Sequence, residues 1–226
     1  MSSGQDVLAN TITVYNDIGT RYETAFEDEP NQMASLDWLL SHLAPKSNIL
    51  DMGSGTGRPV ASTLTAAGHS VLGIDISPVM VAAAREQVPA ARFEEIDSRH
   101  FAASAEEYDA ITAYYSYIIG VSQSDIREIF PKIYRWLKPG GLFVWVTVLF
   151  GLGANLVPMK WMGRSLSAVS TLSQEEMEKC IREAGFELIQ SENFKHKPKA
   201  AEIGLCSPED VEVEDVLYIY ARKLTE

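Results

Sequence analysis

The sequence predicts an α/β protein with a doubly wound, mainly parallel sheet of seven strands, ended by an antiparallel β-hairpin. Short apolar runs alternate with helical patterns along all 226 residues, without an internal repeat or a low-complexity linker. A glycine-rich turn follows the first apolar run, as in folds that bind a ligand at the carboxyl ends of parallel strands. Only a loop joins the last two predicted strands, so we expect those two strands to pair with each other.

Local signals justify the elements in chain order. Ser77 and Pro78 are a cap and first-turn pair for one helix, and Ser173 with Glu176 forms a capping box for another. The turn 138–141 ends the predicted helix 124–137, which lies between these two helices in the chain. The predicted helices are 5–28, 33–43, 60–67, 78–87, 124–137 and 173–184. The predicted strands are 49–52, 71–74, 91–96, 108–115, 142–148, 186–191 and 216–221.

The composition is that of an ordinary globular protein, and it argues against a polyanionic partner. The net charge is -12, and the only short basic run, 195–199, is interpreted as a solvated loop. The two cysteines are far apart and lack metal-type spacing, so we expect no metal site. The first residues have neither a basic region nor an apolar core, which predicts a cytoplasmic location.

An uncharged stretch over 139–159 approaches the length of a membrane span. It begins at a Pro-Gly-Gly turn, continues with strand-forming residues and is interrupted by Gly151, Gly153 and Pro158. A buried parallel strand followed by an apolar loop explains this pattern better than insertion into a membrane.

The glycine-rich turn is the most informative motif. An apolar strand ends in Asp51, and Gly53, Gly55 and Gly57 follow it into a helix. A second apolar run ends in another acid, Asp75. Glycines at this spacing let a small ligand lie against bare backbone, and an acid at the end of the second strand is placed to accept hydrogen bonds from a ribose diol. The pattern therefore predicts an adenosine-containing cofactor.

A nicotinamide dinucleotide is the competing cofactor. Its fingerprint is Gly-x-Gly-x-x-Gly, whereas the third glycine here comes one residue early and Arg58 occupies the next position. The chain also lacks a second half long enough for six parallel strands and a substrate domain. The sequence therefore argues against a nicotinamide dinucleotide.

Five motifs together resemble the class I S-adenosylmethionine-dependent methyltransferases of the small-molecule type, over nearly the whole chain. Residues 51–57 are similar to the glycine-rich first motif of that family, and 73–78 to its second. Residues 95–98 resemble the end of the third strand, 137–141 the turn before the fifth, and 184–186 the turn before the sixth. The resemblance implies a Rossmann-like fold and S-adenosylmethionine as the cofactor.

The resemblance, with charge and position, assigns expected roles to the cofactor residues. Asp51 lies near the methionine ammonium, Asp75 binds the ribose diol, and Asp97 with the Ser98 amide contacts the adenine edge. The helix after the glycines favours the cofactor carboxylate. Each aspartate could instead be a plain strand-end cap, and the N-terminal tyrosines ordinary helix packing. The expected cofactor-binding residues are Tyr15, Tyr22, Asp51, Gly53, Ser54, Gly55, Asp75, Ile76, Asp97, Ser98 and Tyr114.

Methyl transfer is an in-line displacement that depends on positioning and on exclusion of water. The segment after the fourth strand, 113–117, lacks the Pro-Pro-Tyr motif of nucleic-acid amino methylation and the glutamate pair of protein arginine methylation. A small, apolar or aromatic substrate remains. Candidate catalytic residues are His100 as a general base, Tyr114 and Tyr117, although a lone histidine after a strand is more often a surface group.

A single domain is predicted, with 1–45 as an N-terminal helical cap and 150–172 as a loop segment that covers the substrate. Several apolar residues of that segment are expected to line or cover the substrate pocket. The alternative is that they belong to the core. They are Phe150, Leu152, Met159, Trp161 and Met162. Two other functions stay open: a cofactor-dependent cyclisation or rearrangement, and a non-catalytic partner subunit on the same fold. The sequence makes no prediction about the oligomeric state.

Overall fold

The computed structural model describes residues 4–27, 29–150 and 155–225, and it confirms the predicted seven-stranded α/β fold. The helices are α1 (Gly4–Ile18), α2 (Arg21–Phe26), α3 (Pro30–His42), α4 (Val60–Ala66), α5 (Pro78–Gln87), α6 (Gln123–Trp136) and α7 (Gln174–Glu183). The strands are β1 (Asn48–Met52), β2 (Ser70–Asp75), β3 (Arg92–Glu95), β4 (Tyr108–Tyr114), β5 (Leu137–Val148), β6 (Val157–Trp161), β7 (Arg164–Val169), β8 (Phe186–His196) and β9 (Glu214–Lys223).

The large sheet has the strand order β3-β2-β1-β4-β5-β9-β8. The first five strands in this order are parallel to one another. Strand β9 is antiparallel to both β5 and β8. The chain runs outward from β1 through β2 to β3, and then returns to the other side of β1 to form β4. Ligands of open α/β sheets bind at such a reversal, beyond the carboxyl ends of the strands.

The core lies on both faces of this sheet because successive residues of a strand point to opposite sides. Ile49 and Val71 belong to the apolar cluster on one face, while Leu50 and Leu72 belong to the cluster on the other. Both layers are closed by helices. None of the helices in the described ranges is long and apolar enough to cross a membrane.

The structure corrects three predicted elements. The basic run 195–199, interpreted as a solvated loop, begins inside β8, where His196 is buried. The first predicted helix, 5–28, is interrupted at Gly19, whose φ of 53° lies in the left-handed region and separates α1 from α2.

The loop predicted to follow β5 contains an antiparallel hairpin, β6–β7, which the prediction missed. Its strands are joined by Met162 and Gly163, both with positive φ (47° and 72°), as hairpin turns require. Leu152, predicted to line the pocket, lies outside the described residues.

The hairpin β6–β7 packs against α1. Asn10 Oδ1 accepts hydrogen bonds from the amide and the hydroxyl of Ser167, at 2.9 and 3.0 Å. The Arg164 guanidinium donates to Asp17 Oδ2 at 2.6 and 2.8 Å. Helix α1 is also tied to the sheet side, because Ser77 Oγ donates to Asn16 Oδ1 at 2.7 Å. Together α1 and the hairpin form one wall over the carboxyl end of the sheet.

Candidate functional site

The glycine turn after β1 is held tightly against the neighbouring strands. The amides of Gly53 and Ser54 both donate to the carbonyl of Ile74, at 2.8 and 3.0 Å. Gly53 has φ of 70°, and a Cβ built on it would lie 2.1 Å from the Cβ of Ser116. Glycine is therefore required there by the close approach of the segment after β4.

Gly55 is required for a different reason. Its φ is 52°, yet a Cβ built there would meet no described atom within 4 Å. The space beside it faces a pocket, so a bare backbone here leaves room for a ligand. The Gly55 amide donates to Asp75 Oδ2 at 2.9 Å, and the Ser77 amide donates to Asp75 Oδ1 at 2.8 Å. Burial raises the pKa of Asp75, although these backbone hydrogen bonds oppose the shift.

Asp51 lies at the floor of the same pocket and is 1% exposed. Thr112 Oγ1 donates to its Oδ1 at 2.8 Å, while Oδ2 is buried without a hydrogen-bond partner. Burial raises the pKa of Asp51 to about 7; the Thr112 hydrogen bond lowers it and the nearby Asp75 charge adds to the rise. Such a carboxylate is suited to a cationic partner, which would restore its ionised form.

Asp97 follows β3 and is the third carboxylate of the pocket. Arg99 binds it closely, with Nη2 at 2.6 Å from Oδ2 and Nε at 3.0 Å from both oxygens. Burial works against the charge, but the hydrogen bonds from Arg99 outweigh burial and hold the pKa of Asp97 below its usual range. The carboxylate is therefore fixed in position and ionised.

All eleven predicted cofactor residues line one pocket with an empty volume of about 1020 Å³, open to solvent. They are Tyr15, Tyr22, Asp51, Gly53, Ser54, Gly55, Asp75, Ile76, Asp97, Ser98 and Tyr114. Three buried oxygens of the pocket residues lack a hydrogen-bond partner: Asp51 Oδ2, Ser54 Oγ and Ser116 Oγ. Orphaned polar atoms around an open space fit a polar ligand that carries both donors and acceptors.

The predicted catalytic residues are not brought together. His100 Nδ1 lies 3.6 Å from Asp97 Oδ2, but the histidine side chain is 78% exposed and does not line the pocket. Tyr117 is buried and does not line the pocket, and its ring centroid is 5.2 Å from that of Trp145. Tyr114 does line the pocket. Its hydroxyl is hydrogen-bonded to Ser35 Oγ, and burial raises its pKa well above the usual value.

A second, smaller and apolar pocket, also open to solvent, adjoins the first. The two share Tyr15, Tyr22, Tyr115 and Ile119 as walls. Phe150 and Trp161, two of the apolar residues predicted for a substrate pocket, line this second space, whereas Met162 lies in the core.

Sequence reasoning missed Glu214. Among the described residues that line the apolar pocket, Glu214 is the one with a carboxylate. Its Oε1 accepts a hydrogen bond from Trp161 Nε1 at 3.2 Å, and its Oε2 is buried without a partner. The sequence gives no local signal for this role, because Glu214 is one of several acids before the last strand. Arg99 and Ser116 were missed as well; Arg99 could have been found as a basic residue two positions after Asp97.

Comparison with known proteins shows similarity to methyltransferases. Residues 49–141 match the sequence model of a family described as a methyltransferase domain. A SAM-dependent methyltransferase from Methanosarcina mazei has the same fold, with a TM-score of 0.68 and 17% identity over 84% of this chain and 98% of that one. The cyclase SpnF also has this fold, with a TM-score of 0.62 and 22% identity over 84% of this chain and 80% of the other.

A curated relative is the polyketide synthase–nonribosomal peptide synthetase phmA of Phaeosphaeria nodorum, which is 28% identical over 84% of this chain. Another relative is 24-methylenesterol C-methyltransferase 2 from Oryza sativa subsp. japonica, which is 25% identical over 65% of this chain. The chain spans 5% of the first protein and 43% of the second. The family match covers less than half of the chain, and together with the fold and the site geometry it makes the chain similar to the class I S-adenosylmethionine-dependent methyltransferases. S-adenosylmethionine is the cofactor of this class, and the charges and orphaned oxygens of the larger pocket fit it.

Proposed function

We propose that this protein transfers the methyl group of S-adenosylmethionine to a small, apolar or aromatic molecule. One observation carries the proposal: the apolar pocket shares four wall residues with the cofactor pocket, so a molecule in it lies beside the cofactor. The bound cofactor supplies an electrophilic methyl group on a cationic sulfur. Everything else in the reaction is positioning and exclusion of water.

Each cofactor residue has a role that follows from its chemistry. Asp51, with its free Oδ2, binds the methionine ammonium. Asp75 binds the ribose diol with lone pairs left over from its two backbone hydrogen bonds. Asp97, held by Arg99, accepts the adenine amino group. Tyr15 and Tyr22 close the pocket from the N-terminal helices, and Gly55 leaves the backbone accessible.

A small acceptor is supported by the pocket lining and the charge of the protein. The lining of the apolar pocket is almost entirely apolar and aromatic, which suits an apolar or aromatic molecule. A net charge of -12 disfavours nucleic acid as a substrate. The fungal relative is named for polyketide and peptide synthesis, which agrees with a small-molecule acceptor.

The test is transfer of a labelled methyl group from S-adenosylmethionine to a panel of small aromatic alcohols and amines. We expect label in the acceptor and an equal amount of S-adenosylhomocysteine. Asp75→Ala should abolish transfer. Glu94→Gln, an exposed carboxylate on β3 outside the pocket, should leave it unchanged. Cofactor binding without transfer to any acceptor would contradict the proposal. Acceptor conversion without S-adenosylhomocysteine would instead support a cofactor-dependent rearrangement.

A further inference from the structure

The apolar pocket contains a carboxylate that nothing in the cofactor site requires. Glu214 begins β9 and lies between the apolar pocket and an outer groove, since it lines both. Trp161 satisfies one of its oxygens, and the other is buried and unpartnered. Among the described residues that line the apolar pocket there is no lysine, arginine or histidine. The charge of Glu214 therefore has no counter-ion within the pocket.

The rest of the pocket is suited to a cation. Tyr15, Tyr22, Tyr115 and Trp161 present aromatic rings to the same space, and the faces of such rings attract organic ammonium groups. The ring centroids of Tyr22 and Trp161 are 6.5 Å apart. A buried carboxylate surrounded by aromatic rings binds an ammonium group more strongly than a neutral hydroxyl, because only the ammonium supplies the missing charge.

The outer groove has the matching sign. Its described lining carries five acidic side chains and one basic side chain, Lys160. The acids are Glu209, Asp210, Glu212, Glu214 and Asp215. A groove lined by one sign of charge raises the local concentration of ions of the opposite sign and repels like charges. Asp215 is paired with Lys195, and we expect the remaining acids to favour organic cations over carboxylate or phosphate compounds.

We propose that the acceptor is an organic amine that enters as its ammonium form, with Glu214 as its counter-ion and as the acceptor of its proton. This inference rests on the proposed function, since it identifies the substrate class of the same site. In the proton step one N–H bond breaks, its electron pair stays on nitrogen, and the proton forms a bond to Glu214 Oε2. The amine lone pair then becomes available as a nucleophile.

The chemistry of Glu214 agrees with this step. Burial raises its pKa to about 7, and the Trp161 hydrogen bond offsets only part of the rise. Proton transfer from the ammonium leaves two neutral groups, and neutral groups cost less to hold in an apolar pocket than an ion pair does. The negative charge of Glu214 would also offset the repulsion between an incoming ammonium and the cationic sulfur of the cofactor.

Calorimetry on the protein loaded with S-adenosylhomocysteine tests the inference with two probes of nearly equal shape, benzylamine and benzyl alcohol. At about pH 8, where Glu214 is ionised, we expect the amine to bind at least about tenfold more tightly, or about 1.4 kcal/mol. Glu214→Gln should remove the preference. Glu187→Gln is the control and should keep the preference. Glu187 is an exposed carboxylate on β8, near the end of the β8–β9 pair that is opposite Glu214.

Equal affinity for the two probes in the unmodified protein would overturn the inference, and so would a preference that survives Glu214→Gln. The first result needs no variant, so the test does not depend on the folding of the substituted protein. Binding of S-adenosylhomocysteine is measured in the same experiment. If that binding is present and the amine preference is absent, the substrate class is wrong while the cofactor site stands. If the cofactor product does not bind, the proposed function itself fails.

Discussion

At the residue scale, a substitution at Gly55 can distinguish an effect on ligand binding from an effect on stability. Gly55→Ala forces an alanine into the left-handed region at φ 52° but into open space. Gly68→Ala is a matched control, with φ of 89° and no described atom within 4 Å, at a turn away from the pocket. Both substitutions should lower the free energy of unfolding by about 1–2 kcal/mol. Only Gly55→Ala should weaken binding of S-adenosylhomocysteine, by at least about tenfold.

Urea denaturation and calorimetry of the two variants supply the measurements. Equal affinity of both variants for S-adenosylhomocysteine would mean that the ligand does not pass close to the backbone at Gly55.

The buried carboxyl group of Asp51 should make the free energy of unfolding depend on pH. Its pKa is about 7 in the folded protein, against 3.8 as the ordinary value. Between these values the unfolded chain is ionised and the folded protein keeps its proton, so the free energy of unfolding falls as the pH rises from about 4 to about 7. The full effect is at most about 4 kcal/mol. Asp51→Asn removes this cost while Thr112 still has an oxygen to donate to.

Asp51→Asn should therefore be more stable than the unmodified protein at about pH 8 and lose much of that advantage at about pH 5. The same variant should bind S-adenosylhomocysteine more weakly, because the ammonium loses its counter-charge. Urea denaturation at the two pH values measures the first effect. A variant that is less stable at the higher pH would show that the buried carboxylate stabilises the fold rather than the ligand.

At the element scale, α1 and the β6–β7 hairpin act as one wall of the site. Arg164 joins them, since it donates to Asp17 on α1 as well as to the carbonyls of Met162 and Leu205, at 2.9 and 3.2 Å. Its side chain is only 18% exposed. These contacts are worth about 1–2 kcal/mol together, and they join α1 to the hairpin.

Arg164→Gln should speed amide hydrogen exchange in α1 and the hairpin and leave β1 and β4 protected, because local opening is governed by local contacts. Arg182→Gln is the control, since it removes the same charge from an exposed pair with Glu178 on α7. Unchanged exchange in the hairpin would show that Arg164 does not hold this wall.

Local signals predicted most elements but not this hairpin. The capping boxes of α6 and α7 close with both of their hydrogen bonds, and the Ser173–Glu176 pair could be identified from spacing alone. The strands of the hairpin are short, and Met162 is an unusual residue for a turn position with positive φ. The hairpin packs against α1, about 150 residues earlier in the chain, and a local pattern cannot indicate such a contact.

At the scale of the whole molecule, the strand order brings three features to one end of the sheet. They are the glycine turn after β1, Asp75 at the end of β2 and Asp97 after β3. That arrangement could be predicted because parallel strands joined by helices place all their carboxyl ends on the same side. The apolar pocket could not be predicted in the same way. Its walls come from α1, α2, the segments after β4 and β5, the hairpin and β9, and Glu214 becomes unusual only when these elements enclose it.

The central claim is that this fold binds S-adenosylmethionine at the glycine turn. Calorimetric titration with S-adenosylhomocysteine tests it most directly, with NAD as the control ligand. The account predicts saturable binding of one S-adenosylhomocysteine per chain, weakened by Asp75→Ala and unchanged by Glu94→Gln, with no heat from NAD. Absence of binding by S-adenosylhomocysteine, or equal binding of NAD, would contradict it.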